Sequence, residues 1–240
     1  FRPAFDRDGW AAKPGESIET PMLRALLIRA LGRYDDPDIL AGARRRFAAF
    51  LADPGTLPPA LQDAVMTVVG HAADRRTFDA LRKLGRAATS TEEKLRFYYA
   101  LGEASDPALV DQAVKIALTG EVPNGRVNFF LSHAASSDDR PDLVWKLFAP
   151  MRDALENRLS DRERDRLMPL IASASSDPAT AAALETLPEA TQSTGARHET
   201  AKAVEEITFR AELRQTLLPS ISRWLKSNTG AAAPQERTIQ

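Results

Sequence analysis

Three histidines, His71, His133 and His198, are the side chains in this sequence best suited to proton transfer or metal binding, and no two fall close enough to share a helical face. One segment comes near to a catalytic motif: His198-Glu199-Thr200-Ala201-Lys202. A zinc peptidase helix needs His-Glu-x-x-His, so that two imidazoles one turn apart grip the same ion beside a glutamate. Lys202 occupies the second ligand position, and an ammonium repels zinc, so the segment reads as an exposed first turn. His71 follows Gly70 at a helix end and is expected at a cap or on the surface. His133 is expected inward on a short helix, as a core histidine bonded to its neighbours rather than as a ligand. There is no Gly-rich phosphate loop, no Gly-x-Ser-x-Gly elbow and no cysteine. Disulfides and thiolate metal sites are therefore excluded, without fixing the compartment.

Two further groups of residues invite a binding role. Arg44-Arg45-Arg46 is a basic run, but consecutive residues spread around a helix, which predicts a solvated face rather than an anion site. Phe97, Tyr98 and Tyr99 are adjacent and point in different directions, so one or two face the core. The tyrosine left over, assigned to Tyr98, is expected with Arg96 on a concave surface. Lys+Arg (32) balance Asp+Glu (33), giving no electrostatic case for nucleic acid or an anionic membrane. No apolar run is long enough to span a membrane.

Helices must position these residues. Asp36-Pro37, Asp106-Pro107 and Asp177-Pro178 each join an N-cap acid to a proline suited to a first helical turn. Their separations, 70 and 71 residues, equal two helix pairs apiece if a pair takes roughly 35–45 residues, as in helical solenoids. Apolar residues recur at three and four from Leu23 to Leu31 and from Ile39 to Phe50, and no β-branched run alternates over a strand's length. Capping boxes stand at Ser90…Glu93 and Ser160…Glu163. The predicted fold is all-α: an α-α superhelix of HEAT- or armadillo-like antiparallel pairs, with about eleven or twelve helices. Residues 1–19 are expected to be a loop anchored by Trp10, 20–226 one helical-repeat domain, and 227–240 a flexible tail. A helix is expected from Pro150, a loop over Pro188–Gly195, and a long last helix from Ala196 toward Leu225, bent at Pro219.

Read in order, the landmarks resemble a known family. They are Gly9-Trp10 and Gly15-Glu16-Ser17, Leu23-Arg24, Phe47, Phe78-Asp79-Ala80-Leu81 and Ser90-Thr91-Glu92-Glu93-Lys94. Tyr99-Ala100-Leu101-Gly102, Trp145-Lys146-Leu147-Phe148 and Ile221-Ser222-Arg223-Trp224-Leu225 follow. The pattern, from about Gly9 to Leu225, is similar to the C-terminal helical domain of the M1 zinc aminopeptidases, the group of the puromycin-sensitive and endoplasmic-reticulum enzymes, here of a bacterial type. The resemblance implies a bowl that closes over a separate catalytic domain and encloses the peptide. Zinc, its ligands and the Gly-x-Met-Glu-Asn motif for the substrate's amine would belong to that other domain, and none of these motifs occurs here.

The implied function is a non-catalytic C-terminal domain whose parent removes N-terminal residues from peptides. The partners would be the parent's catalytic domain and the peptide, and this chain alone would be inactive and hold no cofactor. A free-standing HEAT-like interaction scaffold is the alternative. Some relatives place a basic residue in the turn after the Tyr99 helix, facing the cavity; this chain has Glu103, which would repel a peptide carboxylate. Relatives often carry Gln-Asp where this chain has Gly125-Arg126, which makes Arg126 the local anion contact. The implied substrate-binding set is Arg126, Arg96, Tyr98 and Glu103. The chain opens on Phe1 and reads as part of a longer, soluble protein, cytoplasmic or periplasmic, whose address signal lies elsewhere.

Overall fold

The computed structural model describes residues 1–137, 141–188 and 192–228. Twelve α-helices and no strand occur among them: α1 (Arg2–Asp8), α2 (Thr20–Arg33), α3 (Pro37–Ala52), α4 (Pro59–His71), α5 (Arg75–Ala87), α6 (Thr91–Gly102), α7 (Pro107–Thr119), α8 (Val127–Ser136), α9 (Pro141–Phe148), α10 (Asp161–Ala172), α11 (Pro178–Glu185) and α12 (Thr194–Asn228). The three Asp-Pro steps open α3, α7 and α11, every fourth helix, as their spacing predicts. In each, the aspartate accepts from the first turn: Asp36 from the N–H groups of Asp38 and Ile39 (3.1 and 3.2 Å), Asp106 from that of Ala108 (2.8 Å), Asp177 from that of Ala179 (2.9 Å).

The helices form two layers. The even-numbered helices pack in order, α2 on α4, α4 on α6, α6 on α8, α8 on α10 and α10 on α12. The odd ones lie behind them, α3 on α4, α5 on α6, α7 on α8 and α11 on α12, with the apolar core between the layers. This is the architecture predicted from the sequence. Where α4 and α6 cross, a Cβ on Gly70 would stand 1.9 Å from the Ala100 carbonyl oxygen, so only glycine permits that approach. Arg33 at the end of α2 reaches past α4 and α6 and donates to the Ser136 carbonyl at the end of α8 (3.2 Å). The carboxyl ends of these four even helices are thereby drawn together, and their layer curves inward at that rim.

The amino-terminal segment departs from the expected loop. Arg2–Asp8 is helical, because Arg2 binds Asp6, Asp36 and Asp38 and Phe5 is buried against the domain. Seven residues are too few to show a helical period, so tertiary contacts decide the conformation. Gly9–Glu19 is then strapped down. Arg24, 3% exposed, donates to the Gly9 carbonyl (3.0 Å) and pairs with Glu16. Trp10 meets Phe5 edge-on (5.7 Å), lies under the Arg46 guanidinium (3.9 Å) and covers Gly42, where a Cβ would come within 2.6 Å of its ring. Arg46 of the basic run thus packs on an indole, and Arg44 donates to the Ala72 carbonyl (3.4 Å).

Smaller differences follow from local chemistry. The segment from Pro150 forms 3-10 turns over Ala149–Arg158 rather than an α-helix. The box at Ser160…Glu163 closes, with Glu163 accepting from the Ser160 N–H (2.8 Å); at Ser90 the serine accepts from the Glu93 N–H (3.1 Å). Thr20 is the first residue of α2, with Glu19 at the cap position and no side-chain cap bond. α12 begins at Thr194, inside the expected loop, and runs uninterrupted through Pro219 to Asn228. Residues 189–191 of that loop and 229–240 of the expected tail lie outside the described residues, as does most of the polar stretch after Ser137.

Candidate functional site

Clefts open between consecutive even helices, on the side away from the odd layer. Leu26, Arg29, Arg33, His71 and Glu103 line one of about 280 Å³ between α2 and α4. Asp63, Thr67, Leu95, Arg96, Tyr99 and His133 line a second of about 340 Å³ where α4, α6 and α8 meet. Smaller ones follow between α8 and α10 and between α10 and α12. The even helices run side by side, so these four clefts form a row from α2 to α12.

The sequence-predicted residues fall differently from one another on this face. Tyr98 is in the core, 1% exposed, and donates to Glu121 (3.2 Å); burial and the Glu121 charge push its hydroxyl up to about 12. It is closed off from any peptide, and Tyr99 takes the place expected for it. The reason is rotation: one residue along a helix turns the side chain by about 100°, and three consecutive aromatics do not say which one faces out. Burial raises the Tyr99 hydroxyl, and the charge of Arg126 opposes that rise.

Arg96 does line the largest of these clefts, but its guanidinium is engaged by Asp63 and by Gln62 (2.9 Å), with Glu92 at 3.5 Å. A guanidinium neutralised twice has little left for a peptide carboxylate. Glu103 caps α6 and sits with its Oε1 2.9 Å from His133 Nε2, off the line of a hydrogen bond. His133 is half-buried, its ring 5.1 Å from that of Tyr99. Arg126, just before α8, donates its backbone N–H to the Pro123 carbonyl (2.8 Å), while its guanidinium has no hydrogen bond or ion pair among the described residues and lies 5.9 Å from the Phe129 ring.

His71 corrects its expected surface placement. It is 5% exposed and its Nε2 lies 3.1 Å from Asp35 Oδ1, on a residue held at a positive φ of 56°. The three histidines stay apart, on α4, α8 and α12, and among the described residues no three His, Asp or Glu side chains are grouped to hold a metal ion. Lys202 faces the cleft between α10 and α12 together with Glu199, so the near-motif has one histidine and an ammonium where a zinc helix needs two imidazoles. The residues present do not fit zinc. No described helix is long and apolar enough to cross a membrane.

Residues 1–208 match the family model of the ERAP1-like C-terminal domain. The chain belongs to this family. Its relatives include Aminopeptidase M1 of Arabidopsis thaliana, 32% identical over 151 residues, which is 61% of this chain and 17% of that protein. Aminopeptidase M1-B of Oryza sativa is 35% identical over 121 residues (48% of this chain, 14% of that protein). Aminopeptidase 2 of Candida albicans is 26% identical over 115 residues (48% and 12%). This ERAP1-like domain therefore spans less than a fifth of the length of these relatives.

The ordered landmarks that carry the family resemblance now have physical roles. Trp10, Glu16 and Arg24 hold the strap, and Trp145 and Phe148 fill the core under α9. What sequence reasoning missed is Arg29, Phe129 and Asn128. Each stands inside an ordinary helical pattern, and only the meeting of two helices turns it into part of a cleft wall.

Proposed function

We propose that this domain is the non-catalytic C-terminal part of an M1 aminopeptidase and that the row of clefts on its even helices lines the chamber enclosing the peptide. The parent would remove N-terminal residues from peptides with a zinc-activated water supplied by a separate catalytic domain. The observation that carries the reading is the family membership combined with clefts lying side by side on one curved helix layer. Leu217, Leu218, Ile221 and Trp224 of α12 are each about half exposed or more, which supports a further domain of the same polypeptide as partner. The Arg126 guanidinium has no ion pair among the described residues and its charge acts on the hydroxyl of Tyr99, which lines the cleft where α4, α6 and α8 meet, so it is the residue assigned to a peptide carboxylate.

The parent enzyme tests this assignment. Arg126→Glu should raise KM for long peptides with a free C-terminus by ~10-fold, the equivalent of losing one charge-assisted hydrogen bond. The same peptides amidated should change much less, and single-residue amide substrates, too short to reach this face, should be unaffected. Equal shifts for acid and amide peptides would take Arg126 out of the chamber.

A further inference from the structure

Glu103 and His133 stand in the wall between the two largest of the four clefts. Glu103 lines the one between α2 and α4, His133 the one where α4, α6 and α8 meet, and Thr67 of α4 lines both. The pair also joins two helices, since Glu103 caps the carboxyl end of α6 and His133 lies in the last turn of α8.

Each residue's place makes the other's charge matter. The Glu103 side chain is only 12% exposed, and the carboxyl end of a helix is unfavourable for an anion. Its one ion partner among the described residues is His133. The two meet at 2.9 Å, yet His133 Nε2 makes no hydrogen bond. A neutral ring offers a carboxylate in that position either a misdirected N–H or a lone pair. An imidazolium is attracted without an aligned bond. The last turn of α8 and the Tyr99 ring, 5.1 Å away, both favour that positive charge.

The other charges around His133 are engaged elsewhere. Across the cleft, Asp63 and Glu92 face Arg96. Arg126, ahead of α8, acts on Tyr99, and Arg33 of α2 is bound to the Ser136 carbonyl. From α7, α9 and α10, which also pack on α8, no ionisable side chain is bonded to or paired with His133 among the described residues.

We propose that Glu103 and His133 form a proton-operated latch in the wall between the two clefts. A histidine gains and loses its proton between about pH 5 and 8. With the proton, the pair closes and ties α6 to α8. Without it, Glu103 is a nearly buried carboxylate with no cation, a state relieved when the side chain turns out to water. That turn opens the wall beside Thr67 and joins the clefts. The latch would regulate the chamber proposed above, but it stands on the pair alone and holds whatever occupies the clefts.

The folded chain offers the imidazolium a carboxylate and the unfolded chain only water, so this contribution to stability is present in acid and lost as pH rises. Urea unfolding of the full chain, wild type against His133→Gln, measures it. The folded-to-unfolded ratio should favour wild type ~5-fold more at pH 5.5 than at pH 8, the size expected of a partly exposed ion pair. The Asp35–His71 contact is common to both and cancels. Glu103→Gln should lose the same pH dependence, and it takes the place of His133→Gln if that variant does not fold. Opening is read separately. The chain has no cysteine, so Thr67→Cys carries a single thiol. Its alkylation rate, divided by the rate in Thr67→Cys combined with His133→Gln at the same pH, should rise several-fold from pH 5.5 to 8. A stability gap that stays constant or widens as pH rises, or an alkylation ratio that ignores pH, would overturn the latch.

Discussion

Replacing Trp145 by alanine should lower the melting temperature by roughly 6–20 °C, the consequence of losing about 3–5 kcal/mol. The indole is 8% exposed, between Val144 (1%) and the fully buried Phe148, on a helix that packs against α7, α8 and α10. Truncation removes a large apolar surface and leaves a cavity that three surrounding helices cannot close without moving. Thermal unfolding followed by circular dichroism measures it. A variant melting within a degree of the parent would show that α9 does not carry this part of the core.

Glu121→Gln should cost about 2–4 kcal/mol at neutral pH, because it strands charges rather than removing contacts. Glu121 lies in the connection after α7 and accepts from Arg82 and Arg86 of α5, from Tyr98 of α6 and from Thr119. It staples three helices, with its side chain only 13% exposed. Burial alone would raise its pKa; the bonds from Arg82 and Arg86 outweigh that and hold it far below the usual carboxylate range. A carboxyl that ionises more readily folded than unfolded contributes stability that is complete above the unfolded value of about 4.5 and is lost as pH falls through the folded one. The stability gap between wild type and Glu121→Gln should therefore be constant above about pH 5 and narrow below it. Urea titrations at several pH values give that gap; one that widened in acid would mean that Glu121 is not ionised in the folded protein.

Both effects bear on function through the same geometry. α5, α6 and α7 hold Arg96 and Tyr99 at one cleft, and α9 supports α8 and α10 around another. A loss of packing behind the even layer is expected to disturb the clefts in front of it.

Most of the helices, the aspartate caps and the pairing were legible in the sequence because they depend on neighbours within a turn or two; α1, the 3-10 turns after Ala149 and the start of α2 were not. Asp36, Asp106 and Asp177 announce helix starts through bonds that reach two or three residues. Likewise, the apolar period places Leu27, Ile39 and Phe78 in the core. The family was legible too, since order and spacing survive where single residues do not. Which residues face a ligand was not. Tyr98 and Tyr99 differ by one step of rotation, and the packing of α5 and the Glu121 connection decides which is swallowed. Arg96 and Arg126 look alike in sequence; Asp63, 33 residues away, neutralises the first, and nothing described neutralises the second. Short-range bonding and periodicity thus fixed the α-superhelix from the chain alone. Charge availability, burial and the meeting of Asn128 of α8 with Arg162 of α10 depended on contacts between helices distant in sequence, which only the tertiary structure brings together.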